Sequence, residues 1–176
     1  FRRSDGTFDY AAIEEINRTS EYGSALIAAR SNNSHDWYGL LSTYTTKIGQ
    51  YLDFYGGIDY RFYKGVHRNE ISDLFGGTYY LDSERGNVDV KNNIHAADPN
   101  WRYQKLGVGD VVFRDYDGFV MQEGGFFQLE YNKDRLAAFV AGSLSNTGYW
   151  RYDRFYYDKE HAKSKTVNFL GFTAKG

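Results

Sequence analysis

The sequence predicts an all-β chain, an antiparallel up-and-down sheet with one apolar and one wet face, on three observations. Apolar and polar residues alternate with a period of two for about a dozen residues at a time, the signature of side chains pointing to opposite faces of a strand. Short connections between these runs alternate with long ones. Aromatic residues make up 19% of the 176 residues, with 17 Tyr and 13 Phe, yet mean hydropathy is only -0.64. A sheet greasy on one side and wet on the other accommodates both numbers.

Residues 1–34 are expected to be a loop region. Within it FDYAAIEEINR has the pattern of one short helix, with Asp9 placed to cap it and Ala12, Ile13 and Ile16 sharing a face. Residues 17–34 are polar and broken by Gly23, and SALIAARS reads as a short strand. A first hairpin is expected over 35–64. Tyr38, Leu40, Tyr44 and Ile48 alternate with Trp37, Gly39, Thr43, Thr45 and Lys47, Gly49 and Gln50 form the turn, and YLDFYGGIDYRFYKG follows. In that run Leu52, Phe54, Gly56, Ile58, Tyr60 and Phe62 take one face. Tyr51, Asp53, Tyr55, Gly57, Asp59, Arg61 and Tyr63 take the other. Gly56 and Gly57 mark mid-strand positions where a neighbouring ring can approach closely.

Residues 65–117, rich in Gly, Asn and Asp and holding the single proline, Pro99, read as a long polar loop. A second hairpin is expected over 118–147. Its first strand sets Phe119, Met121, Gly125, Phe127, Leu129 and Tyr131 against Val120, Gln122, Gly124, Phe126, Gln128 and Glu130. NKDR turns at 132–135, and the return strand sets Leu136, Ala138, Val140, Gly142 and Leu144 against Ala137, Phe139, Ala141, Ser143 and Ser145. Another polar loop covers 148–165. Residues 166–176 begin a further strand, with Leu170, Phe172 and Ala174 preferred as its apolar side.

Composition removes several function classes. A formal net charge of -2 with no basic stripe argues against a nucleic-acid partner. Without cysteine there is neither a disulfide framework nor a thiolate metal site. FRRSDGTFDY lacks the apolar core of a signal peptide, and no run of about 18 apolar residues reads as a membrane helix.

Which face meets water decides function. Turns at 49–50 and 132–135 are short, whereas the connections between hairpins run to roughly fifty and twenty residues, the rhythm of a membrane barrel with short periplasmic turns and long outer loops. Aromatic residues gather near strand ends as two bands: Trp37, Tyr38, Tyr60, Phe62, Tyr63, Tyr149 and Trp150 at one, Tyr51 and Tyr131 at the other. An Arg or Lys facing lipid at mid-bilayer costs about 2 to 4 kcal/mol, so the charged side belongs inside. Asp53, Asp59, Arg61, Gln122, Gln128 and Glu130 are then lumen-lining, and Leu52, Phe54, Ile58, Tyr60 and Phe62 face lipid. The competing reading is a soluble β-barrel, sandwich or lectin-like binding module with the same alternation reversed. Five strands are fewer than the about eight that close the smallest membrane barrel, so a segment of a larger barrel is expected.

NSHDWYGLLSTYTTKI, LDFYGGIDYRFYKG, EISDLFGGTYYLD, GDVVFRDYDGFVMQEGGFFQLEYNKDRLAAFVAGSLSNTGYWRYDRFYY and KTVNFLGFTAKG together resemble the middle of the barrel in TonB-dependent outer-membrane receptors of the Bacteroides type. The resemblance spans essentially the whole chain. It implies a plugged barrel of about 22 strands in the outer membrane of a Gram-negative bacterium. Such a barrel imports a scarce nutrient with energy passed through TonB, and its partners are membrane lipid, the rest of the barrel and its plug. A surface lipoprotein lid accompanies the related glycan-importing class. No TonB box, plug or closing strand lies in these residues, so the family's coupling elements map onto no position here. A barrel serving an envelope assembly without transport is a further alternative.

Other chemistry is poorly supported by the residues. His35, His67, His95 and His161 are not at zinc-ligand spacing. RDYDGF (114–119) offers two carboxylates to Ca²⁺ but reads better as a polar turn. Glu14 with Glu15, and Asp153 with Asp158, lack an accompanying nucleophile, and GVGD lacks the context of a phosphate loop. No enzyme, metal or cofactor is therefore expected. The binding candidates are the loop residues Trp101, Arg102, Tyr103, Tyr149, Trp150, Arg151, Tyr152 and Arg154, where Arg interleaves with rings as a polar ligand with apolar faces requires.

Overall fold

A computed structural model describes all 176 residues. In chain order it contains helix α1 (Tyr10–Thr19), strands β1 (Ala28–Ile48) and β2 (Leu52–Asp73), and the short strand β3 (Tyr80–Leu81). Two 3-10 turns (Ser83–Asn87 and Ile94–Ala97), helix α2 (Pro99–Arg102) and the short strand β4 (Lys105–Leu106) follow. Strands β5 (Val111–Lys133), β6 (Leu136–Asp153) and β7 (Val167–Lys175) complete it. The chain is all-β, as expected. Five strands form one sheet in the order β1-β2-β5-β6-β7, and β3 pairs antiparallel with β4. Tight turns at Gly49–Tyr51 and Asp134–Arg135 force β1 against β2 and β5 against β6 antiparallel. β7 pairs antiparallel with β6, from Ala141 opposite Lys175 to Tyr149 opposite Val167.

The strands are longer than the apolar alternation indicates. β1 begins at Ala28 and not at 35, β2 runs on to Asp73, β5 begins at Val111 and not at 118, and β6 continues to Asp153. Parts of the segments read as loops are therefore strand. The reason lies in the side chains that join the added lengths. Arg30 pairs with Glu70 at 2.7 Å, the Ser72 hydroxyl donates to the Ala28 carbonyl, and Arg154 clamps Asp115 and Asp117. A ladder closed by charged and polar side chains leaves no hydrophobic period to read.

The chain divides into two compact units. The first comprises Phe1–Ser34, Val66–Asp117 and Arg151–Ser164. It contains every buried apolar side chain of the protein. One cluster joins Ile71, Leu74, Leu106 and Val112, flanked by Ile27, Tyr80 and Phe113; another joins Val88, Ala96 and Phe155, flanked by Trp101, Val111 and Tyr156. Helix α1 forms where the sequence places it, with the Asp9 carboxylate accepting from the Ala12 N–H. It buries Ile13, while Ile16 stays exposed.

The second unit comprises His35–Gly65, Gly118–Trp150 and Lys165–Gly176. Its only buried residues are Gly56, Gly65 and Gly148. One side of its strands carries a row of rings: Tyr38 beside Phe62, Phe62 beside Phe119 and Trp150, and Phe119 stacked on Trp150 at 5.2 Å. Tyr51 meets Tyr131 edge-on by the short turns. The register of β6 and β7 puts Leu144 opposite Phe172 and Gly142 opposite Ala174, so the preferred apolar side of β7 is the one that joins this row. The opposite side pairs Asp59 with Arg61, Gln128 with Glu130 and Ser143 with Thr173. At Gly57 the Phe126 ring lies over the backbone, where an added Cβ would run into both that ring and the Ser42 carbonyl.

Candidate functional site

The first unit carries a hydrogen-bonded row of polar side chains drawn from four strands. Ser31 and Asn33 on β1, His67 and Asn69 on β2, Arg114 and Tyr116 on β5, and Arg151 and Asp153 on β6 are alternate positions, so each pair shares a face. His67 Nδ1 lies 2.9 Å from Asn33 Oδ1, an oxygen that accepts only, so Nδ1 carries the proton. Asn33 donates to the Ser31 hydroxyl at 3.1 Å, and Arg114 Nη2 donates to the same oxygen at 2.7 Å. Arg114 Nε donates to Asn69 Oδ1 at 3.1 Å. Beside this chain the Tyr116 ring stands 4.9 Å from the His67 ring and carries the Arg151 guanidinium over it at 3.7 Å. Arg151 is in turn held by Asp153 at 2.5 Å.

The backbone around this row is pinned by buried carboxylates. Asp82 accepts from Glu84 N–H, starting a 3-10 turn, and from Phe113 N–H at 2.9 Å, which fixes Phe113 at φ 69° just before Arg114. Burial raises the Asp82 pKa, with those two N–H bonds working the other way. Asp153 accepts from the N–H groups of Phe155 and Tyr156 as well as from Arg151. Asp115 and Asp117, the carboxylates of RDYDGF, both accept from Arg154, whose pKa is raised by those bonds. They are committed to an arginine clamp and not arranged as a calcium loop. Asp158 is likewise occupied, by His161 and by the Ile94 N–H. Glu14 and Glu15 pair with Arg18 on α1.

The loop residues expected to bind ligand are largely spent on the protein itself. Trp101 packs beside Phe155 and takes the Arg85 guanidinium on its ring at 4.9 Å. Arg102 donates to the Val88 carbonyl, and Tyr103 is exposed beside it. Arg151 lies on Tyr116, and Arg154 holds two carboxylates with its guanidinium 5.8 Å from the Tyr152 ring. Tyr149 and Trp150 belong to the second unit, Tyr149 meeting Phe169 edge-on and Trp150 joining the ring row. Of the expected set, the polar row includes Arg151 alone. Ser31, Asn33, His67, Asn69, Arg114 and Tyr116 escaped the sequence reading, although SNN, HRN and RDY space polar residues two apart in the way an extended strand requires.

Asp53, Asp59, Arg61, Gln122, Gln128 and Glu130 lie on strands of the second unit, on the side away from the ring row. On the ring side Asn146 Nδ2 donates to Glu123 Oε1 at 3.4 Å, and Asn168 lies opposite Gly148. Compared with known proteins, the chain matches no family model, no curated protein and no solved structure.

Proposed function

We propose that this chain is part of a TonB-dependent outer-membrane transporter, which binds a nutrient at its extracellular side and imports it into the periplasm. One observation carries the reading. The second unit is a sheet without a core: Leu144 (62% exposed), Leu170 (77%) and Phe172 (83%) stand uncovered beside a row of rings, whereas every buried apolar side chain lies in the first unit. Soluble monomers rarely expose apolar patches beyond a few hundred Å². A bilayer covers such a face without any protein layer.

Dimensions support it. Phe119 belongs to the ring row and Tyr131 to the pair by the short turns, twelve residues apart on β5. At about 3.3 Å per residue and a tilt of about 45° they lie roughly 28 Å apart along the membrane normal, close to the about 25 Å apolar band of such barrels. The Glu123 and Asn146 pair within that band satisfies part of its own polarity, as intramembrane polar groups do. In this reading Asp53, Asp59, Arg61, Gln122, Gln128 and Glu130 line the wet interior, and the polar row of the first unit is the ligand-facing wall. The plug, TonB and any lipoprotein lid are partners in this proposal.

The test is extraction followed by uptake. The intact protein is expected in the outer-membrane fraction, released by detergent and not by salt or alkali, and loss of its gene should abolish growth on at least one nutrient. A protein that stays folded and monodisperse in buffer without detergent would overturn the membrane reading, and deletion with uptake intact for every nutrient would overturn transport.

A further inference from the structure

Arg114 meets no carboxylate; Arg85 and Arg102 do not either, but they are spent on the Trp101 and Val88 carbonyls and on Gln104 within the loop packing. Arg30, Arg61, Arg68, Arg151 and Arg154 all meet a carboxylate. Arg114 is half-buried, and its bonds go to two neutral oxygens, Asn69 Oδ1 from Nε and Ser31 Oγ from Nη2. Those two bonds occupy one edge of the guanidinium plane. The other edge, Nη1 with the second Nη2 hydrogen, keeps the parallel pair of N–H groups that receives a carboxylate in two-point fashion. Around it stand groups that bond hydroxyls: the Ser31 hydroxyl, which accepts twice and has its own hydrogen to give, Asn33, Asn69, and the Nε2 of His67 left open by the Nδ1 bond. Tyr116 offers no free stacking surface here, because Arg151 covers its ring and His67 flanks it.

We propose that this row is a subsite for an acidic sugar, its carboxylate held end-on by Arg114 and its hydroxyls by Ser31, Asn33, Asn69 and His67. The proposal rests on the reading above that this face meets ligand. A neutral sugar leaves a cation unpaired at the subsite. A carboxylated one neutralises it.

The test is calorimetric binding to the intact protein purified in detergent, which needs no transport. The probes are an oligogalacturonide and its fully methyl-esterified form, in which each charged carboxylate is replaced by a neutral methyl ester on the same sugar backbone. The wild type should bind the acid at least about tenfold more tightly than the ester, the scale of a charge-assisted pair. Arg114→Gln should bring acid and ester to the same affinity, and Arg114→Lys, which keeps charge without the fork, should fall between. A heat-unfolding transition of Arg114→Gln in the same detergent that matches the wild type's shows that the variant is folded. Ser31→Ala, which removes a support of Arg114 without touching charge, should weaken the acid more than the ester and guards against a misfolded Arg114 variant. Equal binding of acid and ester by the wild type, or full preference for the acid in Arg114→Gln, would overturn the subsite. Gene deletion that leaves uptake of every nutrient intact, with this preference present in the purified protein, would count against the transport reading alone.

Discussion

A single buried amide holds the start of the first unit together. Asn17 is 2% exposed; its Nδ2 donates at 2.8 Å to the carbonyls of both Leu26 and Leu74, and its Oδ1 accepts from the Ala25 N–H at 2.9 Å. It therefore ties helix α1 to the segment entering β1 and to the turn leaving β2. Buried polar groups cost free energy when left without partners, so truncating one side orphans the others. Asn17→Ala is expected to destabilise the unit by about 2 to 3 kcal/mol, visible as lost amide protection at Ala25 and in residues 10–19. Wild-type protection in that variant would show the bonds to be dispensable. The Asp9 cap and the buried Ile13 are legible in the sequence because their partners lie within one turn. Asn17 is not, because one of its carbonyls is 57 residues away.

Among elements, the 158–161 turn and the 3-10 turn at Ile94 are joined by one carboxylate. Asp158 accepts from His161 Nδ1 at 2.7 Å and from the N–H groups of Ile94, Glu160 and His161. The bond from His161 holds the Asp158 pKa below the ordinary aspartate range, with burial opposing. A depressed carboxylate contributes stability that is present above its unfolded pKa and lost as pH falls through the folded one. Amide protection factors at Ile94 and His161 should therefore hold from neutral pH down through the ordinary carboxylate range and collapse below it. Asp158→Asn should flatten that dependence, and a profile unchanged by the substitution would refute the link. The same region explains why strand ends were illegible. Apolar alternation ends at residue 64 on β2, yet the ladder continues because Arg68 and Arg30 meet Glu70 and Asn69 meets Arg114. Pairing of that kind depends on strands brought together by the fold, and the local sequence records only polarity.

For the whole molecule, the alternation that the sequence displayed so plainly is a statement about two faces, and the choice between them is a choice of solvent. Tyr38, Phe62, Phe119 and Trp150 meet on one side, while Asp59, Arg61, Gln128 and Glu130 bond on the other. Adjacent residues on β6 turn that choice into a measurement. Leu144 lies opposite Phe172 on the ring side, and Ser145 lies opposite Gly171 on the other. If lipid covers the ring side, Leu144→Arg places a charge in hydrocarbon at a cost of about 2 to 4 kcal/mol, whereas Ser145→Arg projects into the wet interior and is tolerated. The two variants of the intact protein, refolded into phosphatidylcholine vesicles, should then differ in folded fraction and in urea midpoint, with Leu144→Arg the weaker. A soluble sheet that exposes its ring side to water predicts the reverse insensitivity, since an arginine at an already solvated leucine costs little. Equal folding of both variants would remove the bilayer from the account of this sheet, because no other solvent distinguishes neighbouring residues by face so strongly.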